Sequence, residues 1–267
     1  MKNKVYIFTL VKNEQRYINE WIEHNLNIGI DKIIIFEDIG SNSHYSNVCN
    51  YNNVILYNIK DIFNKEEKEL YNKHKCIRQI ACFVCFNRLF CKQCDWSSCI
   101  DVDEYIECNN INEIIKNNES YAQIAIYQKV YTYNNYIKDP YPNEIYSIRN
   151  TYTKYNYSVW GHKSLFNMHN QLIINNFNNP ICVPHRIIDF DAKECIKSNY
   201  EIGHYITKSW EEYVYDQEVR GRMDWWTRDN YRFFLKANEL TEDELINKLQ
   251  QYNLSININK KINDSEL

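Results

Sequence analysis

The chain has 267 residues, a formal net charge of -4 and no block of Lys and Arg residues, so the electrostatic footprint of a nucleic-acid-binding protein is missing. No apolar run reaches the roughly 18–20 residues that a membrane-spanning helix needs. The amino terminus also lacks the small-residue cleavage site of a signal peptide. We therefore expect a cytoplasmic protein that has neither a transmembrane anchor nor a nucleic-acid partner.

The first half of the chain alternates apolar, strand-like runs with helical stretches. In chain order, these are strand 4–11, helix 13–29, strand 31–38, strand 52–59, helix 66–93 and strand 96–104. This order is typical of an α/β domain whose mainly parallel central sheet is flanked by helices. The composition is rich in Asn, as expected of an AT-rich coding sequence, so we discount Asn as a turn signal here.

The second half is less regular. It has short strand-like runs at 121–133, 159–168 and 179–189, and it is helical from residue 209 onward with an interruption at Gly221. No linker marks a domain boundary. We therefore predict a single domain over residues 1–255 with a helical carboxyl-terminal region, followed by a polar tail at 256–267.

Four cysteines, Cys82, Cys85, Cys91 and Cys94, form two CxxC pairs that could supply four thiolates to a structural zinc ion. The gap of five residues between the pairs is shorter than in zinc ribbons and fingers. The surrounding sequence is also helical, with Cys82 and Cys85 on one apolar face. We predict buried core cysteines and keep structural zinc as the alternative.

Acidic and polar residues follow three of the predicted strands, at positions 12–14, 37–38 and 101–104. Ligands of open α/β sheets bind beyond the carboxyl ends of the strands. We therefore expect these three segments to line one cleft.

The last of these segments contains the pattern Asp101-Val102-Asp103. With Val102 directed into the core, both carboxylates reach one side, where they repel each other unless a cation compensates them. Mg²⁺ and Mn²⁺ prefer oxygen ligands and keep positions for water and substrate phosphate. The pattern is suited to holding a metal ion against a diphosphate, and a solvated turn or a helix cap remains the alternative.

Four stretches, in order, resemble the glycosyltransferases of family 92 and their bacterial and viral relatives, which are family 2-like enzymes of the GT-A fold. The stretches are "TLVKNEQRYINEWIEHNLNIGIDKIIIFED", "DWSSCIDVDEYIE", "WGHKSLF" and "IGHYITKSWEEYVYDQEVRGRMD". The resemblance covers most of the chain, from Thr9 to about Glu239. It implies transfer of a sugar from a UDP- or GDP-sugar donor to a hydroxyl of a glycan or other acceptor, with Mn²⁺ or Mg²⁺ as cofactor.

The resemblance also implies a division of labour along the chain. Residues 1–110 would form the nucleotide and metal half, and residues 111–255 the acceptor half. Asp103 would be the main metal ligand, with Asp101 directed toward the metal or the donor ribose. The residues around the nucleotide would be Asn13, Glu14, Glu37 and Asp38.

The carboxyl half offers groups for the leaving diphosphate. Lys163, Lys208 and Arg220 are the candidate cations, because a diphosphate leaving group needs positive charge nearby. His204 is the candidate third metal ligand or donor-phosphate contact, with His185 as the second histidine to consider.

We take Asp103, Lys163 and Asp224 as the catalytic candidates, but spacing does not choose the base that would deprotonate the acceptor. Asp224, Glu211, Glu212 and Glu104 all remain open for that role. Two other functions are also open: a nucleotidyl- or phosphotransferase with the same two-acid metal site, and a non-catalytic module, either zinc-stabilised or a degenerate transferase. The former would favour a Gly-rich phosphate loop, which a chain with 5 Gly does not offer.

Overall fold

The computed structural model describes residues 2–41, 45–73, 78–141, 147–156, 161–178, 188, 192–218 and 228–254. The chain divides into two compact units. The first unit comprises Met1–Gln128 and Gly161–Gly203, and the second unit comprises Lys129–Trp160 and His204–Leu267. The single domain with two halves expected from the sequence stays a prediction.

The described residues contain nine strands and ten α-helices. The strands are β1 (Val5–Val11), β2 (Lys32–Glu37), β3 (Val54–Asn58), β4 (Trp96–Cys99), β5 (Glu104–Ile106), β6 (Gln123–Tyr131), β7 (Tyr155–Asn156), β8 (His162–Asn167) and β9 (Cys195–His204). The helices are α1 (Ile18–Asn27), α2 (Ile59–Ile62), α3 (Lys65–Lys73), α4 (Gln79–Phe90), α5 (Ile111–Lys116), α6 (Ile148–Thr151), α7 (Gln171–Asn178), α8 (Trp210–Glu218), α9 (Arg228–Ala237) and α10 (Glu242–Gln250).

The first unit is built on a central sheet with the strand order β3-β2-β1-β4-β8-β6-β9-β5. The strands β3, β2, β1 and β4 are parallel, and β8 runs antiparallel to both β4 and β6. The predicted α/β class is confirmed. Helices flank the central sheet, and four of its neighbouring strands are parallel.

The parallel strands are continuous apolar runs because both of their faces are covered. Six of the seven residues of β1 are buried, and all four residues from Ile33 to Phe36 in β2 are fully buried. Strands buried on both faces lose the alternation of polar and apolar residues that a half-exposed strand shows. This explains why these strands are recognisable in the sequence with nearly correct boundaries.

One face of the sheet packs on α4 through aromatic side chains. The Phe8 ring on β1 stacks on Phe86 with 4.4 Å between centroids, and it meets Phe83 edge-on at 4.8 Å. Phe83 in turn contacts Phe177 of α7 at 5.0 Å. This packing fixes the position of α4 against the carboxyl ends of the parallel strands.

The helix predicted over residues 66–93 is wrong as a single element. The structure has two helices instead, α3 and α4, with residues 74–77 outside the described part of the chain. α3 begins with a reciprocal cap, in which the backbone N–H of Glu67 donates to Asn64 Oδ1 and that of Asn64 donates to Glu67 Oε2. The sequence has no Gly or Pro to mark the break between the helices.

The second unit has its own aromatic core. The end of β6 pairs antiparallel with β7, and Phe234 of α9 packs against Trp210, Tyr213 and Tyr133. The predicted helical region is present as α8, α9 and α10. Gly221, the tail 256–267 and the strand predicted at 179–189, apart from Ile188, lie outside the described residues. Among the helices that the structure describes, none is long and apolar enough to span a membrane.

Candidate active site

The carboxyl ends of the parallel strands meet at one edge of the sheet in the first unit. Val11 at the end of β1 is in register with Glu37 at the end of β2, and Glu37 is in register with Asn58 at the end of β3. The backbone N–H of Asp38 donates to the Val11 carbonyl at 2.8 Å, and that of Ile100 donates to the Phe8 carbonyl at 3.1 Å. The polar segments that follow β1, β2 and β4 therefore lie along the same edge.

A buried lysine connects two of the acids that follow β4. Lys163 on β8 is fully buried, and its Nζ lies 2.8 Å from Asp101 Oδ2 and 3.1 Å from Glu104 Oε2. The position of Lys163 is set by pairing of β8 with β6, where it is in register with Ile126. Burial alone would lower the pKa of Lys163, but the charges of Asp101 and Glu104 outweigh it and raise the pKa above its ordinary value.

Glu104, at the start of β5, is fully buried as well. Its carboxylate accepts hydrogen bonds from the backbone N–H of Asp101 at 2.9 Å and from the side-chain amide of Gln128. Burial raises the pKa of Glu104 to about 8; Lys163 opposes this rise, whereas the charges of Asp101 and Asp103 add to it. The charges of Asp101, Asp103, Glu104 and Lys163 therefore influence one another in a site that is largely shielded from water.

Asp103 lies in the turn between β4 and β5. Its side chain is 1% exposed, and the turn is closed by a hydrogen bond of 3.0 Å from the Glu104 N–H to the Asp101 carbonyl. Val102 is buried, as predicted. The indole N–H of Trp21 on α1 donates to the Glu104 carbonyl at 3.0 Å, which holds the end of this turn in place.

The amino terminus of α4 contributes two side chains to the same edge. Gln79, the first residue of the helix, donates its amide to Asp101 Oδ1. Arg78, immediately before it, places Nη1 3.3 Å from Asp38 Oδ2. The start of α4 therefore contacts the acids that follow both β2 and β4, and the positive end of the helix dipole favours negative charge there.

Asp38 is the centre of a further group of polar side chains. It is 5% exposed, and it accepts hydrogen bonds from the Tyr71 hydroxyl and from the Ile39 N–H. The guanidinium of Arg78 lies 5.2 Å from the centre of the Tyr71 ring. Burial and the hydrogen bond to Asp38 raise the pKa of Tyr71, so its hydroxyl remains protonated and acts as a donor.

A close approach between β6 and β8 determines where Gln128 points. Gly161 accepts a hydrogen bond of 2.9 Å from the Gln128 N–H. A Cβ added at Gly161 would lie 1.7 Å from Gln128 Oε1 and 2.8 Å from its Cδ. The absence of a side chain at Gly161 therefore leaves the space from which Gln128 reaches Glu104.

Sequence reasoning did not identify Tyr71, Arg78, Gln79, Gln128 or Gly161 as part of this site. Gly161 lies within the strand predicted at 159–168, and a Gly in a predicted strand is a known sign of close backbone approach. The others gave no local signal, because their contacts depend on which strands and helices become neighbours.

The predicted donor-binding residues Asn13 and Glu14 follow β1. Asn13 has a left-handed backbone with φ of 57°, and Glu14 is buried, its N–H donating to the Tyr45 hydroxyl at 2.9 Å. Glu37 accepts a hydrogen bond of 3.4 Å from the Asn58 side chain. Their role toward a nucleotide stays a prediction.

The remaining predicted residues belong to the second unit or lie outside the described residues. His204 ends β9, and Lys208 is buried with a left-handed φ of 36° immediately before α8. His185, Arg220 and Asp224 lie outside the described residues. Of the other base candidates, Glu211 accepts from the Asp139 N–H at 2.9 Å and Glu212 accepts from the Tyr152 hydroxyl at 3.1 Å.

The described residues contain no group of three or more His, Cys, Asp or Glu side chains arranged to hold a metal ion. Asp101 and Asp103 are the oxygen ligands that the residues after β4 could offer a hard divalent cation, since Glu104 contacts Lys163 and its pKa is raised. Mg²⁺ is commonly bound through one or two carboxylates together with substrate phosphates and water, so a group of three is not required.

Three of the four CxxC cysteines are buried in the core, namely Cys82, Cys85 and Cys94, whereas Cys91 is half-buried. Burial raises the pKa of Cys82 and raises the pKa of Cys85 and of Cys94 to about 12. Protonated thiols are poor nucleophiles and poor metal ligands. These side chains therefore pack as small apolar groups.

No protein-family model matches the chain, and no curated protein matches its sequence. Among solved structures, the chain is similar to HddC from Yersinia pseudotuberculosis at 10% identity, covering 75% of this chain and 92% of that one with a TM-score of 0.38. It is similar to a 4-diphosphocytidyl-2C-methyl-D-erythritol synthase at 8% identity, covering 88% and 99% with a TM-score of 0.40. It is also similar to mouse xyloside xylosyltransferase 1 in its apo form, at 11% identity, covering 66% and 72% with a TM-score of 0.33. All three similarities are distant.

Proposed function

We propose that the protein is a metal-dependent glycosyltransferase of the GT-A type, which transfers a sugar from a UDP- or GDP-sugar to a hydroxyl of a glycan or other acceptor. The observation that carries the proposal is the group of Asp101, Asp103 and Glu104 at the carboxyl edge of the parallel strands, where the buried Lys163 contacts Asp101 and Glu104. This edge is where α/β sheets bind nucleotides. The ordered resemblance of four stretches to family 92 supports the same function.

The charge balance of the site supports a requirement for a divalent cation. Asp101 and Asp103 would hold Mn²⁺ or Mg²⁺ together with oxygens of the donor diphosphate and water. When bound, the cation would neutralise the donor diphosphate and stabilise it as a leaving group. Such an ion prefers oxygen ligands, which Asp101 and Asp103 offer after β4, and it would add positive charge to the site.

In this proposal Lys163 positions the acids. Its ammonium is fully buried and already contacts Asp101 and Glu104, which holds Asp101 at the edge of the site. Gln79 and Gln128 fix the other oxygens of the same two carboxylates. Direct contact of Lys163 with the donor stays a prediction, as do the leaving-group contacts of Lys208 and Arg220.

The nucleoside would lie against the residues that follow β1 and β2. Asp38 offers an acceptor whose orientation is set by Tyr71 and Arg78, and Asn13, Glu14 and Glu37 are the other predicted contacts. The Arg78 guanidinium is partly exposed, so it contacts Asp38 and also reaches solvent.

We propose Asp224 as the first acceptor base to test. Glu104 contacts Lys163, while Glu211 and Glu212 each accept a hydrogen bond from within the second unit. A carboxylate that accepts one hydrogen bond keeps other lone pairs, so these contacts rank the candidates and leave Glu104, Glu211 and Glu212 open.

The test is a panel of UDP- and GDP-sugars incubated with purified protein and Mn²⁺, with release of the nucleoside diphosphate measured against a matched reaction in EDTA. We expect metal-dependent release from at least one donor. Release of pyrophosphate from nucleoside triphosphates instead would identify a nucleotidyltransferase. If the protein turns over neither nucleotide sugars nor nucleoside triphosphates, it is a binding module and the proposal is contradicted.

His204→Ala tests the assignment of the carboxyl half. We expect it to reduce transfer by about two orders of magnitude, the scale for removal of one strong electrostatic contact at a developing charge. His169→Ala is the matched control, because His169 is an exposed histidine paired with Asp95. Near-normal turnover of His204→Ala would exclude this role and make His185 the histidine to examine.

A further inference from the structure

The second unit contains a polar pocket with a volume of about 240 Å³. Its lining includes Tyr133, Asn134, Asn135, Lys154, Tyr155 and Glu239. They come from the loop after β6, from β7 with the residue before it, and from the turn after α9. None of them was singled out by the sequence, and none belongs to the candidate active site.

The walls of the pocket are held by hydrogen bonds of asparagine side chains to the backbone. Asn134 accepts from the Lys154 N–H at 3.1 Å and donates to the Thr151 carbonyl at 3.0 Å. Asn238 accepts from the Tyr133 N–H at 2.8 Å and donates to the Phe234 carbonyl at 2.8 Å. These bonds tie the loop after β6 to its neighbours, so the pocket is formed before a ligand arrives.

The groups left to meet a ligand are polar and balanced in charge. Lys154 and Glu239 are exposed, and within the described part of the chain neither side chain makes an ion pair or a hydrogen bond. One positive and one negative charge leave the lining without net charge. A neutral ligand with many hydroxyls finds both donors and acceptors in such a lining.

Tyr155 supplies a fixed aromatic surface at the rim. Its side chain is 48% exposed, although it is a large apolar group. Lys129 Nζ lies 4.3 Å from the ring centroid, and the Tyr131 ring meets it edge-on at 5.8 Å. An exposed but oriented ring offers an apolar surface to a ligand while its hydroxyl remains in water.

We propose that this pocket binds one neutral sugar residue, with Tyr155 against the C–H face of the sugar ring and the exposed polar ends of Asn135, Lys154 and Glu239 toward its hydroxyls. The pocket is smaller than the roughly 300–1,000 Å³ of sites for drug-sized ligands, which favours a single sugar ring over a nucleotide sugar. The inference rests on the pocket alone and does not depend on the proposed transfer reaction.

The experiment measures binding of methyl glycosides to the full chain by saturation-transfer NMR in EDTA, with no nucleotide present. The panel contains the methyl glycosides of glucose, galactose, mannose and N-acetylglucosamine, together with methyl glucuronide as the anionic comparison. We expect binding of at least one neutral glycoside and weaker binding of the glucuronide. Tyr155→Ala should weaken the neutral interaction about tenfold, and Tyr155→Phe should retain it.

Tyr252→Ala is the matched control. Tyr252 also belongs to the second unit, is 44% exposed and has a lysine, Lys138, over its ring at 5.9 Å, but it does not line the pocket. Glu239→Gly is a second pocket variant. Glu239 has a left-handed φ of 53°, which Gly adopts without strain, so this change should weaken binding without unfolding the turn.

Three results would overturn the proposal: no binding of any neutral glycoside, tighter binding of the glucuronide, or equal binding by the Tyr155→Ala, Glu239→Gly and Tyr252→Ala proteins. Because the assay contains neither nucleotide nor metal, its failure is distinct from failure of the glycosyltransferase proposal. Nucleotide release in the donor panel can occur without this pocket, and sugar binding here can occur without transfer.

Discussion

The two edges of the sheet in the first unit both carry aspartates, but the two sets have different surroundings. At the amino edge, Asp31 precedes β2 and Asp95 precedes β4. Asp31 accepts from the Val5 N–H at 2.9 Å and pairs with the exposed Lys2 at 2.8 Å. Asp95 accepts from the Lys4 N–H at 2.7 Å and pairs with the exposed His169 at 2.8 Å.

At the carboxyl edge, most of the acids are more buried, and their partners include side chains from other strands and helices. Glu104 and Lys163 are fully buried, and Asp103 is 1% exposed. The carboxylates of the amino edge satisfy backbone N–H groups at the start of β1, which is a structural task that the fold requires. The acids of the carboxyl edge surround a buried lysine and shift the pKa of Glu104, an arrangement that is typical of functional sites.

The largest difference in stability should appear when the lysine that pairs with the acids is removed at each edge. Lys163→Met should lower the free energy of unfolding by about 3–5 kcal/mol, because it leaves buried carboxylates uncompensated. Lys2→Met at the amino edge should cost about 0–1 kcal/mol, since an exposed ion pair contributes little. Urea denaturation of both variants measures the two values. Equal losses of unfolding free energy in the two variants would mean that the ion pairs of the two edges stabilise the fold to the same extent, which would contradict this comparison.

The next effect concerns activity. Asp101→Asn and Asp103→Asn should each reduce metal-dependent transfer by about two orders of magnitude, because each removes an oxygen ligand and a negative charge. Asp31→Asn should leave transfer near wild type. Without metal, Asp103→Asn should also melt at a higher temperature than wild type, because the substitution relieves repulsion from Asp101 and Glu104. A lower melting temperature would favour a structural cap.

A smaller effect tests whether the carboxyl edge is held by contacts between distant segments. Gly161→Ala should cost about 1–3 kcal/mol, because the new methyl group displaces the Gln128 side chain from Glu104. In a Gln128→Ala background the same change should cost much less. If the two substitutions are additive in urea denaturation, Gln128 is not the obstacle and its link to Glu104 is unimportant.

The last effect is in the pH dependence, where the two edges should have opposite signs. The pKa of Glu104 is raised from 4.5 to about 8, so the folded state binds the extra proton between these values and stability falls as pH rises across this range. The slope cannot exceed about 1.4 kcal/mol per pH unit. For Asp95, burial opposes the shift, but the Lys4 N–H and His169 lower its pKa below 3.8. Its contribution is therefore present above that value and is lost as the pH falls.

Denaturation midpoints measured from pH 3 to 9 in EDTA, for wild type, Glu104→Gln and Asp95→Asn, separate these two contributions. Glu104→Gln should flatten the decline above about pH 5, and Asp95→Asn should flatten the loss in acid. A Glu104→Gln protein with an unchanged profile would contradict the account of the carboxyl edge.

The sequence predicted the parallel strands well because burial on both faces leaves a simple pattern. Strands predicted at 4–11 and 31–38 are found at Val5–Val11 and Lys32–Glu37. The break between α3 and α4 was missed because neither Gly nor Pro marks it. Discounting Asn as a turn signal removed a different clue, the position at which a helix starts. Asn64 caps α3, Asn58 caps α2 and Asn110 caps α5, so asparagine retains its local chemistry in an Asn-rich chain.

The acids at the carboxyl edge were predicted from strand ends, but their partners were not. Lys163 meets Asp101 only because β8 and β4 become neighbours, and Gln128 meets Glu104 only because Gly161 leaves room. Such contacts join residues about 24 to 62 positions apart, for which local sequence gives no signal. The pocket of the second unit is assembled in the same way, from three separate segments.

The central claim is that the carboxyl edge binds a nucleotide diphosphate together with a divalent cation. Calorimetry of UDP and GDP binding, with Mn²⁺ and with EDTA, tests it directly in wild type, Asp103→Asn and Asp31→Asn. We predict that Mn²⁺ tightens binding of one nucleotide to wild type and to Asp31→Asn but not to Asp103→Asn. Equal affinity with and without the metal ion in all three proteins would contradict the claim.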